Sequence, residues 1–355
     1  MQVDELKQLT EHLRGKSDLE KDQVRIAIDF LVAEEVDPSV KVDFLEAFAQ
    51  KGERAEELEE FVSCFRGLAR DPHLEEIAPH AIDLCGTGGD KAGSFNVSTF
   101  VSFVVAAAGV PVIKHGNRSI SSSCGSADLL EAIGIPLDPE LDLIREGLDK
   151  LGFAFLFAPS FHPAFKHVAP VRKELAGRGI ITVFNLLGPM INPAQPAYQV
   201  LGVYDPRHIE KMGKALRGNG LKGAVVVHGK IDDPVISGVD EITSCGENLV
   251  FGFGPISTDG VESWSPRNWG MQDQPFEHLA GGDLDENLRI MKLLLEGKAP
   301  EGLRTTVIMN AATAFLTCRK ASTLEEGVDL AQSLLTQGAV GEWLEKASSF
   351  FASRR

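Results

Sequence analysis

The sequence predicts an α/β protein, with a small all-helical N-terminal domain followed by a larger α/β domain on a mainly parallel central sheet. Three observations carry this. The first seventy or so residues show helical periodicity alone. Short apolar runs then alternate with helical patterns, and the runs AIDLC, VPVIKHG, FAFLFAP and GAVVVHG each read as buried strands. We place the helical domain at residues 1–75 and the α/β domain, which binds the donor named below, at 76–355.

Taken in order, SDLE (Ser17, Asp18, Leu19, Glu20) fits a capping box ahead of the apolar residues Val24, Ile28 and Leu31. Leu58, Phe61, Val62, Phe65 and Leu68 recur at helical spacing, and Pro72 supplies a stop. Residues 159–196 are rich in proline and read as a connection between the two units, and part of residues 160–200 is expected to pack on the helical one.

The chain has 355 residues, 43% hydrophobic and 24% charged, an ordinary globular balance. Its net charge is −16, from 51 acidic and 35 basic residues, and such a field argues against nonspecific binding to nucleic acid. A small phosphorylated ligand remains compatible, because a local cluster and a divalent cation can reverse the sign within a cleft. No apolar run is long enough to span a membrane, and the charged N-terminus lacks the apolar stretch of a signal peptide. Five widely spaced cysteines without a C-x-x-C pair fit reduced thiols in a cytoplasmic protein.

Residues 83–99, DLCGTGGDKAGSFNVST, carry the densest chemistry. Gly86, Gly88, Gly89 and Gly93 follow a strand and lead into the apolar helix STFVSFVVAAAG. A strand, a bare turn and a helix N-terminus together make an anion site, and Asn96, Ser98 and Thr99 are good caps. A phosphate-binding P-loop needs Lys and then Ser or Thr after its last glycine, and GGDK does not match. A dinucleotide fingerprint needs glycine three residues after Gly88, where Lys91 stands. A tight turn with a capped helix remains the plain alternative. The second loop, PVIKHGNRSISSSCGSAD, sets Lys114, His115, Gly116, Asn117 and Arg118 after another strand. Two cationic side chains and a row of hydroxyls there suit a phosphate chain.

GTGGD, FNVST, KHGNRS and GSAD, in this order, resemble the anthranilate phosphoribosyltransferase family. The resemblance continues through HPAFKHVAPVRKEL, FNLLGPMINPA, GVYDP, VVHG, DEIT, ENLRIMKLLLEGKAP, NAATAF and EEGVDLA, and so covers nearly the whole chain. It implies transfer of the phosphoribosyl group of phosphoribosyl pyrophosphate to anthranilate, a step of tryptophan biosynthesis, with two Mg2+ ions per active site and a homodimer formed through the helical domain. It also implies roles by position. Gly86, Gly89 and Asp90 would bind the diphosphate and ribose of the donor. Ser94, Asn96, Ser98 and Thr99 would hold phosphate oxygens, and Lys114, His115, Gly116, Asn117, Ser122 and Ser126 would complete that wall. Gly86, Asn117 and Arg172 would face anthranilate, and Ser98, Asp240 and Glu241 would hold the metal. No nucleophile or general base is implied.

Plainer readings stand beside these. Arg172 could be a solvated helix arginine, Asp240 and Glu241 an acidic turn, and His162 and His167 packing or surface residues. Asp232 and Asp233 form a rival acidic pair. The chain departs from the family pattern in three places. AGRGIITVFN displaces the arginine expected before FN to Arg178, SSSCGSAD has Ser123 and Cys124 where lysine and serine are commoner, and residues are inserted ahead of Asp240. The alternatives are a related phosphoribosyltransferase with another aromatic or nitrogen acceptor, a pyrimidine nucleoside phosphorylase, and a non-catalytic paralogue that binds nucleic acid.

Overall fold

The structure, a computed structural model, describes residues 4–90, 92–118, 124–233, 236 and 238–354. Four helices come first: α1 (Asp4–Arg14), α2 (Lys21–Val32), α3 (Pro38–Lys51) and α4 (Ala55–Gly67). The α2 start differs from the expectation at Ser17. Glu20 is the N-cap and its amide donates to Gln23 Oε1 at 2.9 Å, so the box lies three residues later. Leu58, Phe61, Val62 and Phe65 form the buried stripe of α4, but Leu68 follows the helix end and is 40% exposed.

The α/β part runs β1 (Ile82–Gly86), α5 (Val97–Ala107), β2 (Val112–Gly116), α6 (Ser126–Ala132), α7 (Leu141–Leu151) and β3 (Phe153–Phe157). The proline-rich connection folds into α8 (Ala158–Phe161), α9 (Ala169–Gly177), α10 (Phe184–Leu187) and short 3₁₀ turns. Then come β4 (Tyr198–Gly202), α11 (Ile209–Gly218), β5 (Gly223–Lys230), β6 (Gly238–Val239), β7 (Asn248–Phe253) and β8 (Glu262–Trp264). Four helices close the chain: α12 (Leu284–Leu295), α13 (Glu301–Thr317), α14 (Leu324–Thr336) and α15 (Ala339–Ala352).

The sheet order is β3-β2-β1-β4-β5-β7-β8, with β6 pairing back on β5. The first five strands are parallel, and β6, β7 and β8 pair antiparallel. Alternate residues of the strands serve opposite faces, as a period of two requires. Val225 and Val227 join the core under α5 and α13, while Ala224 and Val226 join the core of α1–α4, α9, α10 and α11. Val168, Val171, Leu175 and Phe184 of the proline-rich connection sit in that second core. The sheet order also reverses at one place. From β1 the chain runs outward to β2 and β3, then returns to lay β4 on the other side of β1, which makes the C-terminal ends of β1 and β4 a topological switch point.

Candidate active site

Gly86 and Gly202 are register partners at the last positions of β1 and β4, and Asp240 lies against both. A Cβ on Gly86 would strike the Asp240 carboxylate, and one on Gly202 would strike its backbone. Both positions therefore need glycine for the close approach. The turn after β1 is tied to the same residue, since the Gly88 amide donates to Asp240 Oδ2 at 2.6 Å. Gly88, Gly89 and Gly93 have φ of +67°, +87° and +64°, a backbone path that other residues adopt only with strain. A segment from far along the chain fastens the far end of the turn. The Gly281 amide donates to the Gly93 carbonyl at 2.8 Å, and the Phe95 amide to the Leu279 carbonyl at 2.9 Å.

The cleft that opens from this point has a volume of about 1260 Å³. At one end it gathers Asp90, Asp240, Glu241, Ser94 and Ser98. Burial raises the Asp240 carboxyl to about 7, reinforced by the Asp90 charge, and Glu241 is raised well above its ordinary value by burial and then by Asp240. Glu241 Oε1 is buried without a hydrogen-bond partner. Three carboxylates converge here with no basic side chain paired to them among the described residues. Buried charge of one sign calls for a counter-ion.

The other end is apolar and cationic. The Arg172 guanidinium lies 5.8 Å from the Phe165 ring centroid and 5.6 Å from that of Phe184, within cation–π range of both. It pairs with no carboxylate among the described residues, and burial lowers its pKa. Between the two ends His115 and His162 meet edge to face at 5.0 Å. Burial pushes their pKa values down to about 3 and about 4. His115 Nδ1 lies 3.1 Å from the Gly188 carbonyl, which can only accept, so the neutral ring carries its proton on Nδ1 and offers a lone pair at Nε2. That Nε2, like His162 Nε2, is buried without a partner.

A family model described as "Glycosyl transferase family, a/b domain" matches residues 78–340. Among curated relatives, the anthranilate phosphoribosyltransferase of Symbiobacterium thermophilum is 39% identical over 97% of this chain and 97% of its own length. The chain belongs to the anthranilate phosphoribosyltransferase family. The enzyme of the same name from Synechococcus elongatus is 40% identical over 87% of this chain and 86% of its own. The crystal structure of the Thermus thermophilus anthranilate phosphoribosyltransferase superposes with a TM-score of 0.86 at 38% identity, over 97% of this chain and 99% of that one. The yeast anthranilate phosphoribosyltransferase in complex with phosphoribosyl pyrophosphate and Mg shares the fold, with a TM-score of 0.78 at 24% identity over 98% of each chain.

As a member of this family, the chain brings nearly all the residues singled out from its sequence to one cleft. Gly86, Gly89, Asp90, Ser94, Asn96, Ser98, Thr99, Lys114, His115, Gly116, Asn117, Ser126, Arg172, Asp240 and Glu241 all line it. Ser122, also singled out, lies outside the described residues, as does Ser123. The rival Asp232 and Asp233 do not join it. Both are exposed beyond the end of β5, where Asp233 Oδ1 accepts from the Ile236 amide at 2.9 Å.

Other expectations need correction. Asn96 occupies the N-cap position of α5 but makes no capping bond. Its Nδ2 reaches the Cys124 carbonyl at 3.1 Å, tying the two loops together, while Ser98 and Thr99 lie inside the first turn. The two cations of the second loop line the cleft but are already partnered. Lys114 is 2% exposed and donates to the Leu84 carbonyl beneath the strand, and Arg118 pairs with Asp128 at 2.7 Å and Glu131 at 2.9 Å. Arg178 pairs with Glu174 and with Glu46 of α3 and does not line the cleft, so it does not stand in for the arginine expected before FN. His162, read as packing, is indeed buried, yet it lines the cleft. Sequence reading also passed over Phe165, Phe184, Tyr204 and Gly202. Each lies in a motif quoted above, or beside one, but only the fold brings Phe165, Phe184 and Tyr204 to the cleft and Gly202 to the switch point.

Proposed function

We propose that this chain transfers the phosphoribosyl group of phosphoribosyl pyrophosphate to the amine of anthranilate, giving N-(5-phosphoribosyl)anthranilate and diphosphate, a step of tryptophan biosynthesis. The observation that carries this reading is the polarity of the cleft. An acidic end beside the glycine turn faces an end where a guanidinium with no carboxylate partner among the described residues lies beside two phenyl rings. The first suits a diphosphate bound with a divalent cation, and the second suits a planar aromatic carboxylate.

The donor set fits magnesium. Asp90, Asp240 and Glu241 supply hard carboxylate oxygens, Ser98 a hydroxyl, and Glu241 Oε1 has no other partner. We assign the metal to Ser98, Asp240 and Glu241; with Asp90 and the donor's diphosphate counted, the negative charge would balance two ions. When bound, Mg2+ neutralises the diphosphate as it leaves. The chain's own residues do the rest. The glycine turn and the first-turn N–H groups of α5 receive phosphate oxygens, supported by the positive helix end. Arg172 orients the carboxylate of the acceptor, and the neutral His115 Nε2 can accept a hydrogen bond from its amine. The weak aromatic amine makes departure of the leaving group decisive, so rate comes from held geometry and charge neutralisation rather than a protein nucleophile. The roles of Gly86, Gly89, Asp90, Ser94, Asn96, Thr99, Lys114, Gly116, Asn117 and Ser126 in donor binding belong to the same reading, with Thr99 and Lys114 acting from just beneath the cleft floor. So do a homodimer and a cytoplasmic location. No described helix is long and apolar enough to cross a membrane.

The test is loss of anthranilate fluorescence on mixing the protein with phosphoribosyl pyrophosphate and Mg2+. Consumption abolished by EDTA is the expected result. Donor binding without consumption would refute the acceptor.

A further inference from the structure

Three large hydrophobic side chains are exposed among the described residues: Leu68, Val261 and Ile181. Only Ile181, the most exposed at 53%, lines the cleft. Its exposure is built in, because both neighbours are anchored. The Ile180 amide donates to the Leu175 carbonyl at 3.0 Å, closing α9, and the Ile180 side chain packs on the core shared with the N-terminal helices. Thr182 is 3% exposed, and its amide donates to Asn185 Oδ1 at 3.1 Å, opening α10. One residue between two fixed turns has little freedom to turn inward, so the chain holds an isoleucine against solvent at the acceptor end. That end already offers Arg172 beside Phe165 and Phe184, whose rings are themselves in contact.

We propose that Ile181 is a specificity-determining residue that covers the ring of an aromatic amine carboxylate held by Arg172. The inference rests on the acceptor reading above and adds to it a residue for which the motifs gave no role. An apolar contact made equally to substrate and transition state lowers KM and leaves kcat alone. Loss of part of an isoleucine contact is worth about a factor of ten in affinity.

The experiment measures both KM values and kcat for the wild type, Ile181→Ser and Ile181→Leu, with thermal unfolding of each. The expected result is an anthranilate KM raised about tenfold by Ile181→Ser, with the donor KM, kcat and unfolding temperature unmoved, and an anthranilate KM within about twofold of wild type for Ile181→Leu. An unchanged anthranilate KM in Ile181→Ser, or equal changes in both KM values, overturns the proposal while leaving the acceptor reading intact. A wild type that does not consume anthranilate overturns both.

Discussion

At the scale of single residues the acidic end and the histidine pair make separate predictions. Asp240→Asn combined with Glu241→Gln removes the two buried carboxyl groups that would ligate the metal beside the glycine turn. Mg2+-dependent turnover should fall by at least about a hundredfold, on the scale of losing an electrostatic contact to the transition state. Asp232→Asn with Asp233→Asn, changing two exposed residues, should keep it near wild type. The reverse pattern would move the metal to the inserted loop. His162 is held near pKa 4 by burial, below its ordinary value of about 6.5. Unfolding frees the ring to take a proton at pH values where the folded ring stays neutral. Its contribution is therefore intact above about pH 6.5 and falls as pH drops towards 4, by about 1.4 kcal/mol per unit. His162→Phe removes this term. Its stability relative to wild type, measured by urea unfolding, should rise by that slope between pH 6.5 and 4 and level off below. A difference that does not vary with pH would mean the imidazole is solvated.

Among elements, the N-terminal helices are joined by a buried ion pair rather than by caps alone. Lys51 Nζ, at the end of α3, lies 2.6 Å from Glu57 Oε2 on α4, with side-chain exposures of 4% and 1%. Glu57 also accepts from the Leu19 amide at 2.7 Å and the Arg54 amide at 2.8 Å, so one carboxylate fixes the approaches to two helices. Lys51→Met leaves that carboxylate buried without its cation and should destabilise the fold by about 3–5 kcal/mol, read from thermal or urea unfolding. Adding Glu57→Gln should recover part of the loss, because the stranded charge goes with it. The glycine spacing announced β1 and its turn as a site. The strand that completes the switch point, β4, was not among the runs read as strands, although all five of its residues are buried. YQVLG carries a polar glutamine at its second position, and Gln199 is tolerated there because its Nε2 donates to the Pro189 carbonyl at 2.6 Å. That partner comes from the fold and leaves no mark on local hydrophobicity.

For the whole molecule, the −16 charge and the acidic cleft end act together against a polyanionic donor. Arg118 is paired with Asp128 and Glu131, and Lys114 is buried against the Leu84 carbonyl, so neither stands free to offset them. Phosphoribosyl pyrophosphate alone should therefore raise the unfolding temperature little. With Mg2+ present, donor at a hundred times its dissociation constant should add about 2.7 kcal/mol. A full shift in EDTA would show that the chain's own donors suffice.

The sequence by itself determined the fold class and the two glycine-bearing loops, and nearly every residue it singled out lines the cleft. Those signals are local: strand and helix periods, and glycines placed where a side chain would collide. Only the tertiary structure decided which charges are available. Arg118, Arg178 and Lys114 look alike as free cations in the sequence, and folding gives all three partners, Arg118 within its own strand–helix unit and Arg178 and Lys114 partly from elsewhere in the chain. Asp240 was told from Asp232 by the motif it sits in, but the reason it must lie where it does is steric and belongs to the fold. Gly86 and Gly202, 116 positions apart, become neighbours in the sheet and leave room for one carboxylate. Ile181 shows the same division. Ile180 beside it is apolar like itself, and only the anchoring of both sides turns Ile181 outward into the cleft.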